Sequence, residues 1–516
     1  MAARTITKQE LAQHNKSGDA WLAIHGDVYD ISKFAAMHPG GEMIILEHAG
    51  TEASDIFWSY HSFEVLQKQE RLIVGRLEGA GDREENRILG ASDISTVPYA
   101  EPSFWMGWKS TYYTEAHKKF RAEVRKFLDR FRDEAERGEA TGAAPSKEIY
   151  DAMGEEGFLA ARIGPGEHLK LVPRLPGGVK PEEFDYFHEG IVHEEIARLA
   201  TPGFIDGMGA GMVIGLPPVL QFGPGWMKKT VAAEVLQGKK RICLAISEPA
   251  AGSDVANMLT RAEESPDGEH YIVNGAKKWI TGGHAADYFV TAVRTGGKGA
   301  GGVSMMLIER SEGLETKSIQ TSYSKSAGTA YVTFENVKVP KKNIIGFENG
   351  GFLCIMYNFN HERWFIIAYT ISATRGVIEQ CMKWAYQRRA FGKKLIEQPV
   401  VRHKLARCIA ELESVQAWYE NLTYQMTQLP YDEQSMKLGS AISLLKFQAT
   451  RVAHRVSDEC VQIFGGRGIT QTGMGRLAER FQRTYKFAAI LGGSEEIMAD
   501  LGINLAMKTF PKNARL

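Results

Sequence analysis

Residues 242–254, Ile242-Cys-Leu-Ala-Ile-Ser-Glu-Pro-Ala-Ala-Gly-Ser-Asp254, set the tightest limit on what this chain can fold into. The apolar run Ile242–Ile246 predicts a short buried strand. It ends in a turn of small side chains, with Gly252 allowing close backbone approach. Hydroxyls (Ser247, Ser253) and open backbone N–H groups at such a strand end suit a planar, anionic, hydrogen-bonding ligand. Further on, Trp279-Ile-Thr-Gly-Gly283 repeats the design: strand, aromatic, hydroxyl, glycine pair. Taken alone, two such turns are also what an ordinary β domain shows at its hairpins.

The pair resembles the flavin bed of the acyl-CoA dehydrogenases, which write these stretches as Thr/Ser-Glu-Pro-x-Ala-Gly-Ser-Asp and Trp-Ile-Thr/Ser turns. The resemblance implies that Leu244, Ile246, Ser247, Ser253, Trp279 and Thr281 contact FAD from their own subunit, with Ser253 also reaching substrate. It extends from about Phe104 to Met507. Helical periodicity dominates residues 104–238, notably Glu115–Arg137 and Tyr186–Leu199, and Glu194-Glu195-Ile-Ala-Arg198 resembles the family's Glu-Glu-Leu-Ala-Arg helix. Gly164-Pro-Gly and the Pro/Gly-rich stretch from Val172 predict a long loop between the two helices. Strand patterns occupy residues 242–345, with a flexible hairpin loop at Gly296–Gly302, and long helices return from Gly350. The fold class expected is therefore multidomain α+β. The resemblance implies a helical domain (103–240), a β domain (241–346) and a C-terminal four-helix domain (347–516), after a small first unit (1–80) and a linker (81–102).

That first unit rests on two histidines. Trp21–Ile31 alternates and breaks at His25-Gly-Asp27, predicting a hairpin. His38-Pro-Gly-Gly41 makes a rigid turn that holds an imidazole clear of the backbone, and His61 follows two short helical patterns. Neutral imidazole is a standard axial ligand of haem iron, although a lone histidine is more often a surface or satisfied core residue. Both histidines within Val28-Tyr-Asp-Ile-Ser-Lys-Phe-x3-His-Pro-Gly-Gly resemble a complete cytochrome b5 domain, from Thr5 to about Glu78. The resemblance implies haem b held by His38 and His61, with iron that carries electrons and leaves no site for oxygen. The first 80 residues hold 7 Lys/Arg and 11 Asp/Glu, a net of −4, against +4 in the remainder. Opposite signs could favour docking of the haem unit on the rest, and an acidic solvated face explains the same count.

Desaturating an acyl thioester needs a base for the α-proton, usually a carboxylate whose pKa an apolar site has raised. Many family members carry it in a C-terminal Tyr-Glu-Gly-Thr turn. Here the stretch reads Ala489-Ile-Leu-Gly492-Gly-Ser-Glu-Glu-Ile497, with glycine where the glutamate would be. A subset resembling the isovaleryl-CoA and long-chain enzymes places the base in an earlier Glu-Arg pair, and Asn358-Phe-Asn-His361-Glu362-Arg363-Trp364 stands at that position. Glu362 is the expected base, with Glu495 as its rival, and Arg363, Gly492 and Gly493 are expected at the substrate. A base at the earlier position accompanies longer or branched acyl chains in that family. Tyr386-Gln-Arg388-Arg-Ala-Phe391-Gly and Gln462-Ile-Phe-Gly465-Gly466 resemble segments that reach a neighbouring subunit's flavin. Arg388, Phe391, Gln462, Gly465 and Gly466 are the residues so implied, with Ser494 and Glu496 near the flavin phosphates. A site assembled this way needs two subunits, so a homodimer or dimer of dimers is implied.

Composition removes other classes. Charge balances at 62 Lys/Arg and 62 Asp/Glu, which offers no footprint for nucleic acid. No apolar run approaches the roughly 18 residues that span a bilayer, so no membrane span is expected. Five separated cysteines without Cys-x-x-Cys spacing predict free thiols. The first residues lack an apolar leader segment, and Ala514-Arg515-Leu516 resembles a peroxisomal C-terminal address; peroxisome or cytoplasm is the expected compartment. The fusion suggests an acyl-CoA substrate and electrons passed through haem to an external acceptor, or received from a reductase. An oxidase, a nitroalkane-oxidase-like enzyme or a monooxygenase on the same fold, or a relative that turns over no acyl-CoA, are the alternative readings.

Overall fold

The hairpin predicted at His25 forms because two successive residues accept left-handed backbone: His25 at φ 57° and Gly26 at φ 84°. That is the two-residue turn whose twist matches antiparallel strands, and it joins Asp19–Ile24 to Asp27–Asp30. The computed structural model describes residues 4–81, 93–511 and 513–514. Half of the expected linker (82–92) and the terminal Arg515 and Leu516 lie outside the described residues. By internal contacts the chain divides into two units: Met1–Pro98 with Glu379–Arg407 and Cys460–Glu479, and Tyr99–Ile378 with Cys408–Glu459 and Arg480–Leu516.

In the first unit a five-stranded sheet runs in the order Thr5–Ile6, Ile73–Leu77, Asp27–Asp30, Asp19–Ile24, Asn15–Lys16. Its inward side chains, Leu22, Ile24, Tyr29 and Ile31, are buried against the short helices Glu42–Leu46, Ser54–Trp58 and Phe63–Gln67. The segment from residue 379 contributes a small ladder, Arg389–Ala390 against Lys393–Lys394. Its turn, Phe391 at φ 54° and Gly392 at φ 74°, repeats the left-handed pair of the first hairpin.

The second unit carries an eight-stranded sheet. His270–Ile280 lies between Ala330–Pro340 and Arg261–Glu264, and Ile242–Ala245 joins parallel to Tyr288–Arg294. Tyr288–Arg294 turns back through residues 296–302 into antiparallel Val303–Glu309, as the glycine cluster there predicts. The long helices Gly351–Gln387, Pro399–Gln428 and Tyr431–Phe464 and the shorter Glu495–Met507 follow. The fold is α+β with a C-terminal helical bundle.

Two expectations need correction. The periodicity read as one helix over Glu115–Arg137 is two, Glu115–Asp129 and Arg132–Thr141. Phe131, at φ −108° and ψ 6°, leaves helical geometry so that its ring turns inward beside Phe127, 5.5 Å away. An apolar stretch of spanning length does exist, Pro202–Phe222. It is two helices, Pro202–Gly207 and Ala210–Phe222, parted at Gly209 (φ 109°), and most of it is buried in the protein core.

Glu194-Glu195 is structural at its second residue. Glu195 accepts two bonds of 2.8 Å from Arg125 and one of 2.9 Å from Arg198, tying Tyr186–Ala197 to Glu115–Asp129. Neighbouring guanidinium groups outweigh burial there and hold its carboxyl well below the usual range.

Candidate active site

The two strand ends singled out in the sequence meet. The Lys278 N–H donates to the Ser247 carbonyl at 2.9 Å. One residue before, Lys277 is wholly buried and donates from Nζ to the Ile246 carbonyl (3.0 Å) and to Glu248 (2.8 Å). Glu248 in turn accepts the backbone N–H groups of Leu259 and Thr260, at 2.6 and 2.9 Å. Every formal charge in this knot has a partner, which is the condition for burying an ion pair. The knot fixes the Ser-Glu-Pro turn and leaves Ser253 exposed, Ser247, Leu244 and Thr281 half-buried and Ile246 buried. Trp279 sits at φ 70° with half of its surface open. An aromatic residue in left-handed backbone stores strain that marks functional positions, and here the half-exposed indole carries Lys278 Nζ 4.5 Å from its ring centre. Exposed indole, hydroxyls and backbone fit the flat polar ring system of FAD.

Glu362 lies in the first third of Gly351–Gln387 and is 8% exposed. It lines a cavity of about 70 Å³ with Thr281, Phe365, Ile366 and Leu491, so the carboxylate expected to be the base and a residue expected at the flavin share one space. Its Oε2 has no partner among the described residues. Burial pushes its pKa up to about 7, and the nearby Arg363, Lys446 and His361 offset part of that rise. Gly492 closes the same space: a Cβ placed there would lie 3.0 Å from Ile366 Cδ1 and 3.6 Å from Glu362 Oε1. Gly492 holds φ 64°, a left-handed backbone conformation that favours glycine, and a Cβ there would press on Ile366 while meeting Glu362 at ordinary contact distance. Arg363 Nε donates to the Gly492 carbonyl at 3.0 Å and Lys446 Nζ to the Gly493 carbonyl at 2.6 Å, locking this turn. Glu495, the rival base, is buried at the start of Glu495–Met507 and faces Arg451 (3.4 Å) and Lys486 (3.6 Å). It does not line the Glu362 cavity.

In the first unit, His38 and His61 face one another with ring centroids 5.9 Å apart. The rings do not touch, yet one metal atom could bond a nitrogen of each. His38 Nδ1 lies 3.0 Å from the Gly41 carbonyl, to which it donates, leaving Nε2 with a free lone pair. Burial, then the charge of His38, lowers the pKa of His61, favouring the neutral imidazole a metal needs. Both histidines line a cavity of about 730 Å³ with apolar walls including Phe34, Ile45, Phe57 and Leu72. Apolar rim residues Met37 and Ile44 are exposed, as expected of a slot shaped for a flat apolar group. A Cβ on Gly40 would lie 2.9 Å from His38 Cε1, so glycine there keeps the ring in place. The residues fit haem.

The other sequence-predicted residues scatter. Arg388 spreads over the Tyr60 ring (5.5 Å) and the Trp384 ring (5.9 Å), and its Nη1 lies 3.5 Å from the Ser59 carbonyl. Phe391 is 96% exposed, and Gln462, Gly465 and Gly466 are exposed where Tyr431–Phe464 ends, with Gly465 at φ 61°. Ser494 caps Glu495–Met507 by accepting the Ile497 N–H, and Glu496 is exposed beside it. Sequence reasoning missed the structural half of its own motif. Lys277 falls on the inward face of its strand with Tyr271 and Val273, a charge on an apolar face that signals a buried partner. It also missed Glu189, whose carboxylate receives His361 Nε2 at 2.9 Å and so steadies the residue next to Glu362.

Residues 114–239, 243–337 and 349–504 match the N-terminal, middle and C-terminal domains of acyl-CoA dehydrogenases. The chain belongs to the acyl-CoA dehydrogenase family. Residues 7–78 match the cytochrome b5-like heme/steroid binding domain, so this dehydrogenase carries a cytochrome b5 domain ahead of its three family domains. An acyl-CoA dehydrogenase of Emericella nidulans is 39% identical over 438 residues, 81% of this chain and 97% of that protein. One from Alternaria alternata is 36% identical over 416 residues, 79% and 95% of the two chains. The crystal structure of acyl-CoA dehydrogenase from Geobacillus kaustophilus superposes with a TM-score of 0.66 at 26% identity, covering 77% of this chain and 100% of that one. The dehydrogenase is a flavin-dependent oxidoreductase, with FAD and haem as its cofactors.

Proposed function

We propose that this acyl-CoA dehydrogenase forms a 2,3-enoyl thioester from a saturated acyl-CoA, with Glu362 as the base. One observation carries the reading: a buried carboxylate, one oxygen of which has no partner among the described residues, lines the same cavity as Thr281, and the residue at 492 beside it is glycine. Glu362 removes the α-proton; its raised pKa makes it a strong enough base to take the proton and still ionised in part near neutral pH. Bound FAD supplies the acceptor for the β-hydride, and haem held by His38 and His61 supplies one-electron chemistry for passing the electrons on. Leu244, Ile246, Ser247, Ser253, Trp279 and Thr281 hold the flavin, Arg363, Gly492 and Gly493 shape the substrate turn, and Lys446 fixes that turn from behind. Arg388, Phe391, Gln462, Gly465, Gly466, Ser494 and Glu496 complete the flavin site in a homodimer or dimer of dimers.

The test is anaerobic mixing of the holoenzyme with saturated acyl-CoA thioesters, following flavin and haem absorbance and the product mass. Flavin bleaching with a product two hydrogens lighter supports desaturation, and later haem reduction supports the relay. Bleaching without haem reduction removes the relay, and no bleaching with any thioester removes the whole reading.

A further inference from the structure

The cavity that Glu362 lines is not wholly apolar. Arg162, His193, Asp206, Tyr323 and Tyr369 line it together with the base. An enzyme for plain alkyl chains has no use for such a wall, because every polar group it buries must be desolvated. Arg162 is the sharpest case. It is 2% exposed, and it enters no ion pair among the described residues. Its Nη1 donates to the Met208 carbonyl at 2.7 Å, while its Nε has no partner. Burial drags its pKa down to about 10, the mark of a cation that its surroundings do not fully compensate. Asp206 shares the cavity beyond ion-pair distance, and burial lifts its pKa to about 7, so near neutrality it can donate or accept a hydrogen bond. A volume of about 70 Å³ holds roughly five water-sized groups, enough for a short polar chain end.

We propose that Arg162, with Asp206 in the same cavity, is a specificity site for acyl thioesters whose chain carries an oxygen function, a carboxylate, carbonyl or hydroxyl, beyond the carbons that become the double bond. The inference rests on the desaturation reading of Glu362 and adds the substrate class. A chain oxygen in this cavity can offer the buried Arg162 guanidinium the acceptor it lacks among the described residues; an alkyl chain of equal length leaves that N–H unpaired, the situation in which sites discriminate most strongly.

Two measurements on the FAD-loaded full chain test it. The first compares kcat/KM for alkyl, ω-carboxy, keto and hydroxy acyl-CoA thioesters of equal length. The second measures by calorimetry the binding of the matching 2,3-enoyl-CoA compounds, which need no desaturation. The expected result is a preference of about tenfold or more for at least one oxygenated class in both, falling to near unity in Arg162→Met. Which class wins separates a carboxylate from a neutral oxygen. Equal or better handling of alkyl chains by the unsubstituted enzyme overturns the proposal, even if Arg162→Met fails to fold. Absence of turnover with every thioester defeats the desaturation reading instead, and the enoyl binding ratio still decides the role of Arg162.

Discussion

Replacing Glu362 by Gln should stabilise the protein while it abolishes the reaction, and the stabilisation should depend on pH in a defined way. Burial holds the Glu362 carboxyl near 7 in the folded protein against an ordinary value of 4.5. Below about 4.5 the group is neutral in both folded and unfolded chains and costs nothing. Between 4.5 and 7 the unfolded chain ionises while the folded one resists, so stability falls as pH rises. Above 7 the penalty is complete, about 3.5 kcal/mol for a rise from 4.5 to about 7. Gln keeps the shape and removes the titration. The difference in unfolding midpoint between E362Q and the unsubstituted enzyme should therefore grow from pH 4.5 to pH 8 and then level off. Denaturant titrations at five or six pH values measure it. A difference that is flat with pH, or that shrinks above pH 7, would show that the cavity does not hold Glu362 as described.

Three further outcomes follow from the geometry. Gly492→Glu places a side chain in left-handed backbone and a second carboxylate beside Glu362. It should cost about 1–2 kcal/mol in chemical denaturation and slow flavin reduction at neutral pH, because two adjacent carboxyls cannot both ionise. Glu248→Ala strands the buried Lys277 and two backbone N–H groups; a loss of about 3–5 kcal/mol and of tightly held FAD is expected, read by denaturation and by flavin content after gel filtration. His38→Ala and His61→Ala should each remove the haem absorbance and leave flavin content unchanged, while Gly40→Val, by pressing on the His38 ring, should weaken haem retention without touching either ligand.

What the sequence revealed and what it hid divide along physical lines. Turn chemistry is local, so the His25-Gly26 hairpin and the Ser-Glu-Pro-Ala-Ala-Gly-Ser-Asp strand end could be read from residue types alone. The glycine at 492 and the glutamate at 362 were legible as a pair, but only the folded chain shows that the two positions are neighbours, a Cβ at 492 lying 3.6 Å from Glu362 Oε1. Arg162, Asp206 and the Lys277–Glu248 pair stayed hidden because their meaning lies in burial, and a lone Arg or Asp in a sequence reads as surface. The break at Phe131 escaped because helical periodicity ran on through it, and a buried ring outweighed one more turn of helix.

The central claim is that Glu362 takes the α-proton. The most direct test is the anaerobic rate of flavin reduction by a saturated acyl-CoA it accepts, measured from pH 5.5 to 9 for the holoenzyme and for E362Q of matched flavin content. The account predicts a rate that rises with pH through about 7 in the unsubstituted enzyme and is at least about a hundredfold lower and without that inflection in E362Q. Flavin reduction by E362Q at the unsubstituted rate, with the same pH profile, would assign the proton to another group and contradict it.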